Sequence, residues 1–227
     1  MEKFSLFKIS DSTYIDLSTN KYPTILKSWH GNQIDLEKDG THFGFNYSDT
    51  AKIIINDKEF SCYQNMYFSV SERAKIIPSE NSKGFIVSRL NTKGFFQLGG
   101  PIEEAGRYKY IDGCSDSLLI SPVKLGDPCF NLLHFPDNTN QTPHTHPSIR
   151  IGMIVSGTGF CIMENESIEL KEGHIFIIPE NLLHSFKTKD SQMIIVVYHP
   201  ETDFGPTDKN HPMINKTIIN GISAGQI

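Results

Sequence analysis

The sequence predicts an all-β fold, and three observations support this prediction. The first is that the apolar segments are short, rich in Ile, Val, Phe and Tyr, and separated by Gly, Asn, Asp, Ser and Pro. They recur about every ten residues, a spacing that is typical of β-sandwiches and β-barrels. The second is that helical periodicity is nearly absent, since only residues 35–38 and 101–106 could form a turn or two of helix.

The predicted strands fall into two groups along the chain. The first group contains AKIIIND, NMYFSVS and KGFIVSR, and the second contains FNLLHF, RIGMIVSG, HIFIIP and QMIIVVYH. Residues 91–127 lie between the groups and form a connection that is too long to be structureless in a compact domain. We therefore expect YKYI and SLLISPV, which lie within this connection, to form strands that complete the second group.

The third observation is an internal repeat. A shift of 108 residues places residues 42–78 over residues 150–186 without gaps, and both the apolar pattern and the turn positions agree. The identical pairs in these ranges are Gly44 and Gly152, Ser48 and Ser156, Thr50 and Thr158, Ile54 and Ile162, Phe68 and Phe176, and Glu72 and Glu180, and the same shift also places Ile86 over Ile194 beyond them. The chain is therefore predicted to contain two copies of one β-unit.

The repeat divides the chain into three predicted parts. Residues 1–95 form the first copy and residues 96–202 form the second. Residues 203–227 form a tail rich in Pro, Asp, Asn and Gly, which is too irregular for a strand. Such a tail is either an inert extension or a lid that folds over the mouth of a barrel.

Composition excludes several classes of function. The net charge of -5 and the absence of a Lys/Arg cluster argue against a nucleic-acid partner. The longest apolar runs, such as residues 193–198, are too short to span a bilayer, and the first residues lack a signal-peptide pattern. The four cysteines include no Cys-x-x-Cys pair. These features predict a cytoplasmic protein with reduced thiols, no membrane association and a small-molecule partner.

Three histidines in the second copy form a candidate metal site. His144 and His146 are separated by one residue, so both rings project from the same side of an extended segment. His184 follows a predicted strand and a turn, in HIFIIPENLLH. Three imidazoles suit zinc, iron, nickel or copper, and they leave coordination positions open for water or substrate.

These residues resemble the two sequence motifs of the cupin superfamily. The first motif runs from Gly through His-x-His and Glu to a second Gly, and the corresponding residues are Asn138, His144, His146, Arg150 and Gly157. The second motif has Gly, Pro, Gly and His, and here the residues are Gly173, Pro179, Asn181 and His184. The resemblance covers residues 130–198 and, through the repeat, extends to residues 25–90. It implies a bicupin, in which two jelly-roll-like β-barrels follow one another in the chain.

The departures from the motifs are informative. Asn138 and Asn181 replace glycine, and asparagine tolerates left-handed backbone better than most residues. Arg150 replaces the glutamate that usually provides the fourth ligand, so the predicted site has three histidines and a cation beside them. In the first copy the positions of the three histidines carry residues that cannot form this site, namely Leu36, Lys38 and Ile76.

Arg150 has three possible roles. It could pair with a carboxylate such as Glu180, bind the carboxylate of a substrate in bidentate geometry, or point to solvent. Strand alternation favours an inward orientation because residues 144, 146, 148 and 150 share one parity. A dication held by neutral imidazoles beside Arg150 would make the pocket cationic, so we expect an anionic ligand. Phe186 and His134 are the other predicted substrate-binding residues.

The resemblance also implies a function. Some cupin dioxygenases use three histidines without the glutamate, which favours a non-haem iron dioxygenase that acts on a small carboxylate. In this hypothesis Fe(II) is the metal, with Zn, Ni or Mn as alternatives, and Arg150 orients the substrate or stabilises negative charge. The alternatives are a non-redox isomerase, lyase or hydrolase, and a non-enzymatic bicupin that binds a small molecule. The resemblance further implies a homodimer.

Overall fold

The computed structural model describes residues 3–37, 39–214 and 217–227. Its regular structure consists of strands and of three short 3-10 helices, at Ile9–Asp11, Ile111–Gly113 and Ala224–Gln226. The all-β prediction is therefore confirmed. No helix in the described part of the chain is long and apolar enough to cross a membrane.

The strands are numbered in chain order. Those before residue 100 are β1 (Ser5–Lys8), β2 (Tyr14–Leu17), β3 (Thr24–His30), β4 (Ile34–Leu36), β5 (Gly40–Ser48), β6 (Ala51–Ile55), β7 (Lys58–Cys62), β8 (Met66–Val70), β9 (Ala74–Pro78), β10 (Lys83–Leu90) and β11 (Gln97–Gly99). Those after it are β12 (Tyr108–Lys109), β13 (Ser115–Ile120), β14 (Cys129–Phe135), β15 (Arg150–Met163), β16 (Glu166–Lys171), β17 (His174–Ile178), β18 (Ser185–Lys187), β19 (Met193–His199), β20 (Ile218–Ile219) and β21 (Ile222–Ser223).

The strands form two similar units and a terminal hairpin. In the first unit (β2–β11), one sheet has the order β11-β8-β5-β10-β3-β2 and the other has the order β4-β9-β6-β7. In the second unit (β1 and β12–β19), the main path is β1-β17-β15-β19-β14-β13-β12, and β16 and β18 pair with β15. Among the described residues, strands β20 and β21 pair with each other and with no other strand, so the tail contains a short hairpin although its sequence predicted no strand. The expected strands in the long connection are β12 and β13, and they do complete the second unit.

The first strand crosses the predicted boundary between the copies. β1 pairs antiparallel with β17, with Ser5 opposite Ile177 and Lys8 opposite His174. Residues 5–8 therefore lie in the sheet of the second unit, although the repeat assigned them to the first copy. The division at residues 95 and 96 stays a prediction for the rest of the chain.

The internal repeat is visible in the packing of two glycines. A Cβ atom built on Gly44 would lie 2.1 Å from the Phe68 ring, and one built on Gly152 would lie 2.4 Å from the Phe176 ring. Both distances are far below van der Waals contact, so only glycine leaves room for the ring. These glycine and phenylalanine pairs are related by the 108-residue shift. The two units therefore repeat a packing arrangement as well as a sequence pattern.

A shared apolar core joins the two units. The Phe43 ring centroid lies 5.5 Å from that of Tyr198, and the Phe85 centroid lies 6.1 Å from that of Phe130. All four side chains are buried, and complete burial of a large apolar side chain stabilises a fold by about 1.5–3 kcal/mol. The other faces of these strands line separate cores, one inside each unit.

A bend in β15 shapes the barrel of the second unit. The start of this strand pairs with β17 and β19, and its end pairs with β16 and β18. The register shifts between Ile154 and Ser156, and Gly157 has φ 76°. A Cβ atom on Gly157 would lie 1.8 Å from the Gln192 carbonyl oxygen, so the bend requires glycine. The strand thereby contributes to both layers of the barrel, with Arg150 at its beginning.

Candidate metal centre

The backbone brings the histidines together through a pair of cross-strand hydrogen bonds. The His144 amide donates to the His184 carbonyl at 2.9 Å, and the His184 amide donates to the His144 carbonyl at 3.0 Å. The two residues are therefore directly opposite each other. The segment before β15 continues this pairing, because the Gln141 amide donates to the Phe186 carbonyl at 3.0 Å. His146 lies two residues further on, with its ring on the same side.

The three imidazole rings converge on one point. One ligand atom from each of His144, His146 and His184 lies within 4.8 Å of the others. Their ring centroids are 5.0, 4.7 and 5.2 Å apart. Because each imidazole nitrogen lies about 2.0–2.1 Å from zinc, two nitrogens on one ion are at most about 4.2 Å apart. Small adjustments of the side chains would therefore bring all three nitrogens onto one ion.

Hydrogen bonds fix the tautomer of two of the ligands. The Nδ1 atoms of His144 and His184 each lie 2.9 Å from a carbonyl oxygen, of Thr142 and Leu182 respectively. A carbonyl only accepts, so Nδ1 carries the proton and Nε2 presents its lone pair. His184 Nε2 is buried and has no hydrogen-bond partner among the described residues. A buried acceptor without a partner is unfavourable unless an ion or a water occupies the site, so the residues fit a metal.

Asp112 supports the first ligand. Its carboxylate accepts hydrogen bonds from the Thr142 amide at 2.7 Å and from the Thr142 hydroxyl at 3.2 Å. Thr142 in turn provides the carbonyl that orients His144. This residue was not predicted, because nothing in the sequence connects an aspartate in a turn with a histidine 32 positions later.

Burial keeps the imidazoles of His146 and His184 neutral. It lowers the pKa of His146 to about 3 and the pKa of His184 to about 4, and the charges of Arg150 and of the neighbouring histidines act in the same direction. Both side chains are therefore uncharged near neutral pH, which is the form that coordinates metals. His199, another residue that the sequence did not single out, has its pKa lowered by burial, by Arg150 and by His146. Arg150 therefore lies among histidines whose protonated, positively charged forms are unfavourable.

Arg150 is buried at the edge of this cluster. Its side chain is 7 % exposed, and Nη1 donates to the Ser148 carbonyl at 3.2 Å, the Ser148 hydroxyl at 2.5 Å and the Ile149 carbonyl at 3.0 Å. Nε is buried without a partner among the described residues. The Ser148 hydroxyl donates to Glu201 Oε1 at 2.7 Å. A carboxylate therefore reaches the guanidinium only through a serine, and the ion pair with Glu180 is absent from the described part of the chain.

The structure places the two predicted substrate-binding residues differently. Phe186 is 5 % exposed, and its ring centroid lies 5.8 Å from that of His184 and 5.3 Å from that of Phe135. It therefore forms an apolar wall beside the histidines. His134 lies on the other face of β14 from Phe135 and contacts the side chains of Ser115 at 3.4 Å and Gln192 at 3.2 Å. The structure does not bring His134 to the three histidines.

The two asparagines that replace motif glycines have the backbone conformation that glycine favours. Asn138 and Asn181 have φ values of 55° and 59°, in the left-handed region that the substituted glycines would favour. The Asn181 amide donates to the His146 carbonyl at 2.7 Å, so this turn helps to hold a ligand. In the first unit Leu36 and Ile76 are buried apolar residues, and Lys38 lies outside the described residues.

Comparisons with known proteins agree with this geometry. A family model described as a cupin domain matches residues 131–199, which include all three histidines. No curated protein matches the sequence. The fold is similar to a cupin 2 conserved barrel domain protein from Leptotrichia buccalis, with TM-score 0.58, 12 % identity, and coverage of 86 % of this chain and 88 % of that one.

Two other solved structures show the same likeness over both units. Protein Ylba from E. coli has TM-score 0.62 and 16 % identity, with coverage of 88 % of this chain and 92 % of that one. A salicylate 1,2-dioxygenase from Pseudaminobacter salicylatoxidans has TM-score 0.62 and 10 % identity, with coverage of 87 % and 83 %. A variant of that dioxygenase has been solved in complex with gentisate. The cupin-domain match over residues 131–199 and the likeness to these structures show that the chain has a bicupin fold and that its second unit contains a cupin domain.

Proposed function

We propose that this protein is a metal-dependent dioxygenase that acts on a small carboxylate in the second unit. The observation that supports this proposal is the charge of the site. The three imidazoles contribute no negative charge, and Arg150 lies beside them with Nε buried and unpartnered among the described residues. A buried cation with unused donors is unfavourable unless an anion reaches it. We infer that the substrate provides that anion.

Each residue has a separate role in this proposal. His144, His146 and His184 would hold a ferrous ion, which when bound supplies redox chemistry and open coordination positions. Arg150 binds the substrate carboxylate through Nε and Nη2, because Nη1 already donates to three protein oxygens. Phe186 covers one side of His184 and excludes water from the reacting group.

The structural neighbours support the substrate class. One of them is a salicylate dioxygenase, and a variant of it binds gentisate. Salicylate and gentisate are small carboxylates, which is the class that the charge of this site favours. The identity of 10 % is too low to carry over the substrate itself.

Oxygen uptake tests the proposal directly. The iron-loaded protein would be mixed with salicylate, gentisate and a set of small aliphatic carboxylates, and dioxygen consumption would be followed with an electrode. We expect substrate-dependent uptake, and we expect Arg150→Lys to reduce it at least about tenfold while the iron content is unchanged, because a lysine cannot form the bidentate contact. A loss of iron in Arg150→Lys would contradict the assigned role.

The same three ligands favour a second candidate function. Three neutral histidines with an open position also form zinc sites, in which the metal polarises a carbonyl as a Lewis acid. The protein would then be an isomerase, lyase or hydrolase that still uses Arg150 to bind a carboxylate. Purified protein that contains zinc and consumes no oxygen with any compound of the set would favour this candidate. The homodimer stays a prediction that size-exclusion chromatography with light scattering can test.

A further inference from the structure

The first unit contains a polar cavity at the position that corresponds to the metal centre of the second unit. Its volume is about 100 Å³. Leu36 and His42 line it, and the 108-residue shift places them over His144 and Arg150. The full lining is Tyr14, Ile25, Lys27, Asp35, Leu36, Glu37, His42 and Ser88.

Strand alternation places the polar residues inside the first unit. Trp29 and Ile86 belong to the core of this unit, whereas Leu26 and Val87 belong to the core that the two units share. Lys27 lies two residues before Trp29, and Ser88 lies two residues after Ile86, so both share the inward face. His42 is directly opposite Ser88 on the neighbouring strand. The cavity is thus part of the barrel interior.

Two of these polar side chains are almost completely buried. His42 is 1 % exposed and Ser88 is 4 % exposed, and His42 Nδ1 and Ser88 Oγ share a hydrogen bond of 2.7 Å. The rest of this core is apolar, with side chains such as Trp29, Ile53 and Phe68. A barrel with a purely structural role would be expected to close this end with apolar side chains too, because buried polar groups are costly.

The cavity also contains a cation without a carboxylate partner. Lys27 Nζ donates to the Asp35 main-chain carbonyl at 2.9 Å, and it forms no ion pair with the carboxylates of the described residues. The Asp35 carboxylate instead accepts two hydrogen bonds from Gln33 Nε2, at 2.9 and 3.1 Å. Glu37 is exposed at the rim. An anion that entered the cavity would meet an available ammonium group.

We propose that this cavity binds a small aliphatic monocarboxylate. The Lys27 ammonium pairs with the carboxylate, Ser88 and His42 supply hydrogen bonds, and Ile25 and Leu36 contact the alkyl part. The carboxylates of Asp35 and Glu37 lie nearby, so a ligand with two negative charges, such as inorganic phosphate, is repelled. The site requires no metal and is independent of the function proposed for the second unit.

A titration with acetate, followed by saturation-transfer NMR on the methyl signal, tests this proposal. We expect Lys27→Met to weaken acetate binding at least about tenfold, because the charge is lost while the aliphatic stem is kept. We expect Glu37→Gln to strengthen binding about two- to fivefold, because it removes a repulsive charge at the exposed rim. Tighter binding by Glu37→Gln cannot result from misfolding. This variant therefore tests the proposal even if Lys27→Met fails to fold.

Two controls locate the bound acetate and define its class. Trp29 is the single tryptophan, is 0 % exposed and lies on the cavity face of β3, so its fluorescence should change as acetate binds. Lys52→Met is the matched control, because Lys52 is exposed, pairs with Glu59 and does not line the cavity, and it should leave this fluorescence titration unchanged. A Trp29 fluorescence titration with acetate that is equal in wild type and Lys27→Met, or no acetate binding in the wild type, would overturn the proposal. Phosphate binding of the same strength as acetate would overturn the monocarboxylate assignment.

Discussion

Replacement of Arg150 by methionine separates a binding role from a structural role. The substitution removes a guanidinium that is 7 % exposed. Among the described residues its Nε has no hydrogen-bond partner, and it reaches Glu201 only through Ser148. Methionine keeps most of the side-chain volume. The carbonyls of Ser148 and Ile149 each lose a hydrogen-bond donor, which lowers the free energy of unfolding by about 1 kcal/mol per carbonyl. Relief of the buried charge offsets this loss, since hydrophobic replacements of buried ionic groups are often neutral or stabilising by about 1–4 kcal/mol.

We therefore expect the free energy of unfolding of Arg150→Met to lie within about 1 kcal/mol of the wild-type value, or above it. Urea denaturation of the metal-free protein, followed by Trp29 fluorescence, measures this quantity. Carboxylate affinity in the second unit should fall at least about tenfold in the same variant. A decrease in stability of more than about 3 kcal/mol would refute the reasoning, because losses of that size accompany the breaking of a structural buried pair.

Arg89→Met is the matched control for this experiment. Arg89 joins the units through a hydrogen bond from Nε to the Pro200 carbonyl at 3.3 Å, and its guanidinium lies 5.3 Å from the centroid of the Tyr22 ring. It has no contact with the three histidines. We expect this variant to lose about 1–2 kcal/mol of stability and to keep its carboxylate affinity.

Three further predictions follow from individual contacts. Glu201→Gln should raise the KM for the carboxylate substrate about threefold or more in steady-state kinetics and leave the metal content unchanged. The reason is that Glu201 holds the Ser148 hydroxyl, which orients Arg150. An unchanged KM would contradict this prediction. Asn181→Ala should lower the free energy of unfolding by about 1–2 kcal/mol in urea because of its φ of 59°, whereas Asn181→Gly should be close to neutral. Burial raises the pKa of one cysteine thiol to about 11 and the pKa values of three others to about 12. Alkylation of these thiols at pH near 8 should therefore be slow until urea is added. Rapid labelling of the folded protein would contradict the structure. The thiols are those of Cys114, Cys62, Cys129 and Cys161.

The features that were predictable from the sequence depend on short-range patterns. The spacing of His144 and His146 and the turn before His184 define the ligand geometry locally, and the structure brings the three rings together. The asparagines at positions 138 and 181 have the backbone conformation that their place in the motifs requires. The repeat was visible because the same glycine and phenylalanine pair packs in both units.

The features that could not be predicted depend on long-range pairing or on which face of a strand is inside. β1 joins the sheet of the second unit through residues that lie about 170 positions later in the chain, and no local pattern specifies that pairing. The sequence analysis expected His134 to face the barrel interior, whereas it lies on the opposite face of β14. The strand is apolar on both sides, with Leu132 in the shared core and Phe135 in the barrel. A strand that is buried on both faces shows no alternation from which its orientation can be read.

Metal analysis of freshly purified protein tests the central claim most directly. Wild type, His184→Ala and His134→Ala would be purified in parallel and their divalent metals measured by mass spectrometry. Because His184 is one of three converging ligands and His134 lies on the outer face of β14, we expect about one metal ion per chain in wild type and in His134→Ala, and a loss of about tenfold or more in His184→Ala. Full metal content in His184→Ala would contradict the assignment of the site.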